Sequence, residues 1–247
     1  MKRAIVTAGI GTSRLFEPYL ERLERTFKEF GGADYLKIWR EWPPGSRTHT
    51  EVHYGFKVHA MFEAAAQGCT SILWCDSSCN AFAPLTPVWE RLEAEGHLLV
   101  EDANALGKWS SDHSLATFGM SRDEAMNIRL MCGTFIGVDL THERSRTFLE
   151  RLRSYAVPEH FNGTHVSRLP GLPPHSRPGT EGASMSLDER VFGHRSDEVY
   201  ASLLAADLKM KTHTCTEFIG GGGFTPEELV RLNASQGACV KSGYDLT

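Results

Sequence analysis

The stretch 71-SILWCDSSCNAFAPL-85 decides how this chain is read. Ile72, Leu73, Trp74 and Cys75 make a short continuous apolar run, the pattern of a strand buried on both faces of a parallel sheet. The run meets Asp76, Ser77 and Ser78 without a break. A buried strand that ends on a carboxylate and two hydroxyls puts polar groups at the carboxyl edge of a sheet, where α/β proteins gather their ligands. Two readings of the triplet stand side by side. Asp76 and Ser78, one residue apart, aim at one hard cation, which favours oxygen ligands and would in turn hold a diphosphate. Alternatively, Asp76 caps the following turn and the serines are loop residues.

Working outward, strands and helices alternate. Residues 3–8 (RAIVTA) read as a first strand, and Gly9 and Gly11 as the turn after it. Phe16, Leu20, Leu23, Phe27 and Phe30 recur at helical spacing, which predicts a helix over about 17–30 ended by Gly31 and Gly32. Further strands are predicted at 35–39, 70–75 and 97–101, and helices at 56–67, from Pro84 and Pro87 to Gly96, and over 143–155. Ser121 with Glu124 is a capping-box signature. The segment 130-LMCGTFIGVDL-140 reads as a strand pair or a bent strand. Residues 157–193 lose all period and are rich in proline, which predicts a flexible loop. Ser196 is read as the cap of a last clear helix, followed by a strand near 208–215, the run Gly220–Gly223 and a short helix begun by Thr225 and Pro226. Alternation of this kind predicts a three-layer α/β/α sandwich with a mostly parallel central sheet, in one domain over 1–247.

Bulk properties remove some function classes. With 41% hydrophobic and 23% charged residues the chain has the make-up of a globular protein. No apolar run approaches the roughly eighteen residues of a membrane span, and MKRAIVTAGIG carries too short an apolar run for a signal peptide. The formal charge of -5 gives no bulk attraction to nucleic acid, although a local patch would suffice. Six cysteines without a C-x-x-C pair argue against zinc and for free thiols in a reducing, cytoplasmic setting.

Three segments in order carry a family resemblance: 54-YGFKVHAMFEAAAQGCTSILWCDSS-78, 130-LMCGTFIGVDL-140 and 193-GHRSDEVYASLLAADLKM-210. Together they resemble the GT-A-type nucleotide-sugar glycosyltransferases, in which a lysine-bearing helix precedes a strand ending in D-x-D, a glycine-containing apolar segment follows, and a late helix opens on a His-Arg-x-Asp-Gln-like sequence. The likeness spans most of residues 1–215. It implies a GT-A-like fold and transfer of a hexosyl or pentosyl group from a nucleotide-diphosphate sugar, a UDP-sugar first, to an acceptor hydroxyl. The turn 7-TAGIG-11 would cradle the nucleotide through Thr7, Ala8, Gly9 and Gly11; an ordinary strand-to-helix turn reads the same way. Lys57 would approach the diphosphate as a point charge, with Tyr54 stacking or hydrogen-bonding nearby. Asp76, Ser77 and Ser78 would meet the donor, and Asp76, Ser78 and His194 would hold Mn2+ or Mg2+. Arg195 would help the leaving group. Gly133 and Thr134 would let backbone approach the sugar, or serve close strand packing. Trp109, in 101-EDANALGKWSSD-112, would be a sugar or base platform, or an anchor of its loop. Asp197 or Asp112 would be the catalytic base, although an acid in the first turn of a helix is also favoured by the helix dipole.

Two positions depart from the pattern. Ser78 replaces the second aspartate of D-x-D, which weakens the metal site, and Glu198 replaces a glutamine, exchanging an amide donor for an acceptor. The acceptor is open. His160, His165, Arg168, His175 and Arg177, with no acid between residues 160 and 179, make a basic stretch. It would suit a phosphate backbone and hence a hydroxymethylated base of phage-type modified DNA, in host cytoplasm. A non-catalytic nucleotide-sugar binder and a nucleotidyltransferase are the rivals from other classes.

Overall fold

The computed structural model describes residues 1–10, 17–166, 185–214, 217–220 and 240–242. Its centre is a six-stranded sheet built from β1 (Arg3–Ala8), β2 (Tyr35–Trp39), β3 (Ser71–Cys75), β5 (His97–Ala105), β6 (Arg129–Asp139) and β7 (His213–Thr214), in the order β2-β1-β3-β6-β5-β7. β1 runs parallel to β2 and β3, and β5 runs parallel to β7. β6 alone is antiparallel, inserted between β3 and β5. The chain is therefore an α/β protein with a mostly parallel, mixed sheet. A small second sheet pairs β4 (Cys79–Ala81) with β9 (Val240–Ser242) and β9 with β8 (Ile219–Gly220).

The period of two in the strands separates two cores. Ala4, Val6, Ile72, Trp74, Leu99, Ile136 and Val138 face one side, where α2 (Gly55–Ala66), α6 (Glu143–Tyr155) and α8 (Ser196–Asp207) pack. Ile5, Leu73, Cys75, Leu98, Val100 and Phe135 face the other, against α1 (Glu17–Phe30) and α3 (Thr86–Glu95). Strands buried on both faces need apolar residues at successive positions, which is why β3 reads as a run rather than an alternation.

Most predicted elements occupy their expected places. Ser121 and Glu124 close a reciprocal capping box on α5 (Arg122–Met126). Residues 130–140 form one strand, β6, and not a pair, and the strand near 208–215 shrinks to β7 because α8 and its turn take up the preceding residues. The 157–193 segment includes a helical turn, α7 (Pro158–Phe161), with proline in its first turn; its residues 167–184 lie outside the described residues. So do Gly11, Cys215, Cys239, Gly221–Gly223 and the helix expected at Thr225 and Pro226. Ser196 does not cap α8. It is the first residue of that helix, at a positive φ of 32°, and Arg195 precedes it without a side-chain cap. Among the described residues no helix is long and apolar enough to cross a membrane, and Cys69, Cys75, Cys79 and Cys132 are thiols rather than disulfides.

Candidate functional site

β3 stops at Asp76, whose amide donates to Thr134 O on β6 (2.9 Å) and whose carbonyl accepts from the Cys79 amide (2.9 Å). The tight turn from β3 to β4 thus leaves the Asp76 side chain at the sheet's carboxyl edge. There it lines a hollow of about 420 Å³ together with Ala8, Gly9 and Ile10 after β1, Ser77, Lys57 at the start of α2, and the rings of Trp42, His49, Tyr54, Phe56 and Trp74. Apolar rings with a few convergent polar groups are the usual make-up of a small-molecule site.

The rings form a connected wall. Phe56 meets Trp42 and Trp74 edge-on, with centroids 5.7 and 6.0 Å away. His49 stacks on His53 at 5.2 Å and meets the edge of Tyr54 at 4.6 Å. Burial first, then the charges of His53 and Lys57, push the His49 imidazole below its ordinary range, so this wall carries no positive charge at neutral pH. Trp42, His49, Phe56 and Trp74 were not among the residues expected to bind. The density of rings and imidazoles in 42-WPPGSRTHTEVHYGF-56 was the available signal.

Beneath the hollow lies a buried charge cluster. The Lys57 ammonium is 2.9 Å from Gly133 O, 3.0 Å from Asp197 Oδ2 and 3.2 Å from Asp76 Oδ1. The Tyr54 and Trp74 rings lie over it at 4.9 and 5.7 Å. Burial opposes its charge, but Asp197, Asp76 and Glu198 outweigh that and hold the ammonium well above the ordinary lysine range. Trp74 Nε1 donates to the same Asp76 Oδ1 at 2.8 Å, which fixes that carboxylate. Gly133 leaves room for the cluster: a Cβ would stand 2.9 Å from Asp197 Oδ2 and 3.3 Å from Lys57 Nζ, so these side chains would have to shift.

Asp197, 4% exposed, is raised by burial and drawn down by Lys57, with burial prevailing. Its neighbour Glu198 differs. Its Oε1 accepts the Gly133 amide at 3.2 Å, its Oε2 lies 3.4 Å from Arg195, and its side chain keeps 19% exposure. Burial, then the Asp197 charge, push it up to about 7. A carboxylic acid poised near neutrality is suited to proton transfer. Two of the three described non-glycine residues at positive φ, Tyr54 (58°) and Ser196 (32°), sit at the helix starts that present Lys57 and Asp197. Backbone strain of this kind gathers at functional sites.

The other expected residues fall into two sets. Ala8, Gly9 and Ser77 line the hollow, with the Gly9 amide taken by Trp39 O at 2.9 Å. Arg195 lies across the Trp109 ring at 4.2 Å and pairs with Asp102 at 3.1 Å, so Trp109, Arg195, Asp102 and Glu198 make one connected patch beside the cluster. Thr7 is fully buried, and Ser78, 5% exposed, is absent from the lining of the hollow and offers its carbonyl to Arg22. Asp112 stands exposed at the start of α4 (Asp112–Thr117), paired with Arg122 at 2.6 Å. His194 is 1% exposed; one ring nitrogen donates to His160 O at 3.0 Å and the other accepts the Ser111 amide at 3.4 Å. Burial pushes it down to about 4, so it is a neutral brace between loops. Arg168, His175 and Arg177 lie outside the described residues.

The expected metal ligands do not fit a protein-held divalent cation. His194 has no lone pair to spare, Ser78 is absent from the lining of the hollow, and Asp76 Oδ1 already serves the Lys57 ammonium and the Trp74 indole. Among the described residues no group of three or more His, Cys, Asp or Glu converges on one point. A scan of protein-family models and a search of curated proteins found no match to the chain.

Proposed function

We propose that the protein is a glycosyltransferase of GT-A-like design that takes a nucleotide-diphosphate sugar, a UDP-sugar first, in the hollow at the ends of β1 and β3. One observation carries the reading: a ring-walled hollow and a fixed carboxylate, Asp76, meet at the carboxyl edge of a mostly parallel sheet, with a buried Lys57–Asp197 pair directly beneath. The base would stack against the rings of Trp42 and Phe56, and the second oxygen of Asp76 would accept a ribose or sugar hydroxyl. Transfer breaks the bond between the anomeric carbon and the diphosphate oxygen, forms one to the acceptor oxygen, and releases the acceptor proton. Glu198 is better placed to take that proton than Asp197, because Asp197 is enclosed against Lys57 whereas Glu198 retains contact with solvent.

The test is release of nucleoside diphosphate from a panel of nucleotide sugars, with wild type and Asp76→Ala. Turnover by the wild type that the substitution abolishes supports the reading; no release and no binding across the panel refutes it. A second reading, a nucleotide-sugar binder without turnover, is favoured by the enclosure of Asp197 and by the absence of Ser78 from the lining of the hollow. Tight binding with no release at any pH would select it.

A further inference from the structure

We infer that the cation of this site is the Lys57 ammonium itself, and that the nucleotide binds here without a divalent metal. This rests on the donor reading above and goes against the metal dependence that the D-x-D resemblance implies. The argument is one of space and donors. Three oxygens lie within 3.2 Å of Lys57 Nζ: Gly133 O, which accepts a hydrogen bond, and Asp197 Oδ2 and Asp76 Oδ1, which are ion-pair partners. A metal bridging Asp76 and Asp197 would need their oxygens at about 2.0–2.6 Å, in the space Nζ fills. Moving Nζ aside is costly, because Lys57 is 6% exposed, its head lies under two aromatic rings, and Gly133 O would lose its partner. A dication placed beside an ammonium that stays would meet its repulsion instead.

The lysine also does the work a metal would do for the protein. Asp76, in the lining of the hollow, repels a diphosphate, and Lys57 sets an ammonium 3.2 Å from it while also pairing with the enclosed Asp197 at 3.0 Å. It sits on a helix whose first turn holds no acid and whose amino end adds a positive pole. Asp76 is left with one oxygen for the ligand, which suits a hydroxyl. Beside Lys57, Asp76 and Ser77 the hollow is lined mainly by aromatic rings, which suit the nucleoside half of the ligand.

The experiment measures binding of uridine diphosphate and guanosine diphosphate by calorimetry to the wild-type chain, in EDTA and in saturating Mn2+, with thermal shift as a second readout. Dissociation constants that agree within about threefold between the two conditions support the inference. Binding tightened by Mn2+ by about tenfold or more overturns it and leaves the donor reading intact. Failure of both nucleotides to bind in both conditions overturns both. Lys57→Ala supplies a second arm: with the ammonium gone, Mn2+ alone should raise its melting temperature while leaving that of the wild type unmoved. Stabilisation of the wild type by Mn2+ without nucleotide would contradict the inference, as would an Ala variant indifferent to Mn2+.

Discussion

Lys57→Met removes one charge and leaves the hydrocarbon stem in place. Its cost follows from what the ammonium faces. Asp197 is 4% exposed and 3.0 Å from Nζ, so without Lys57 it must stay charged in a poor solvent or take up a proton. Breaking a buried pair in this way costs about 3–5 kcal/mol. Protonation sets a ceiling. From an ordinary value of 3.8, neutralising Asp197 costs about 5 kcal/mol at about pH 7.5 and about 2 kcal/mol at about pH 5, at about 1.4 kcal/mol per unit. The folded variant holds the Asp197 proton more tightly than the unfolded chain does, so its relative stability is full at low pH and is lost as pH rises. The deficit against wild type, measured by urea unfolding at the two pH values, should therefore be about 3–5 kcal/mol at the higher and no more than about 2 kcal/mol at the lower. Adding Asp197→Asn to Lys57→Met should recover most of it. A deficit that does not shrink with acid, or one below about 1 kcal/mol near neutrality, would refute the claim that Lys57 neutralises Asp197.

Three other outcomes follow from the same geometry. Glu198→Gln should remove a pH dependence: the wild type loses up to about 3 kcal/mol of stability between pH 4.5 and about 7, as the unfolded chain's carboxyl ionises while the folded one keeps its proton, and the difference between the two proteins, followed by thermal unfolding across that range, should carry that slope. Gly133→Ala forces a Cβ to within 2.9 Å of Asp197 Oδ2 and Glu198 Cγ; it should cost about 1–3 kcal/mol in a denaturant melt and abolish nucleotide binding, and a variant of wild-type stability and affinity would show the cluster to be loosely packed. Trp42→Ala, at the half-buried rim of the hollow, should weaken nucleotide binding by about tenfold, in line with about 1–3 kcal/mol for a base stacked on a ring, with little change in melting temperature; unchanged affinity by fluorescence titration would remove that ring from the site.

How much of this could be read from the chain depends on how local the cause is. β1, α1, β3 and the Asp76 tip were legible because burial on both faces and helical spacing write themselves into successive residues. Lys57 was expected at the diphosphate and Asp76 at a metal; that the two pair with each other appears only in the fold. That β6 is a strand was legible, but not whether residues 130–140 make one strand or a pair, since Gly133 and Gly137 break its apolar run. Both glycines answer to distant neighbours, Gly133 to the charge cluster and Gly137 to Leu98 and Leu92, which a Cβ would meet at 3.0 and 3.2 Å. The aromatic wall was missed because residues 42–56 have no period, and their rings converge only once that segment folds over the sheet edge. Glu198 read as an acceptor in place of an amide donor, and only burial and the Asp197 charge give it a carboxyl near 7. His194 looked like a ligand from its place before the helix, yet its two nitrogens are spent on backbone groups of other loops.

The most direct test of the central claim is the location of a bound nucleotide. A structure of the chain with a uridine diphosphate sugar, or nuclear magnetic resonance shifts on titrating it, should place the base against Trp42 and Phe56 and a hydroxyl on Asp76. A ligand bound elsewhere, with those three residues unmoved at saturation, would contradict it.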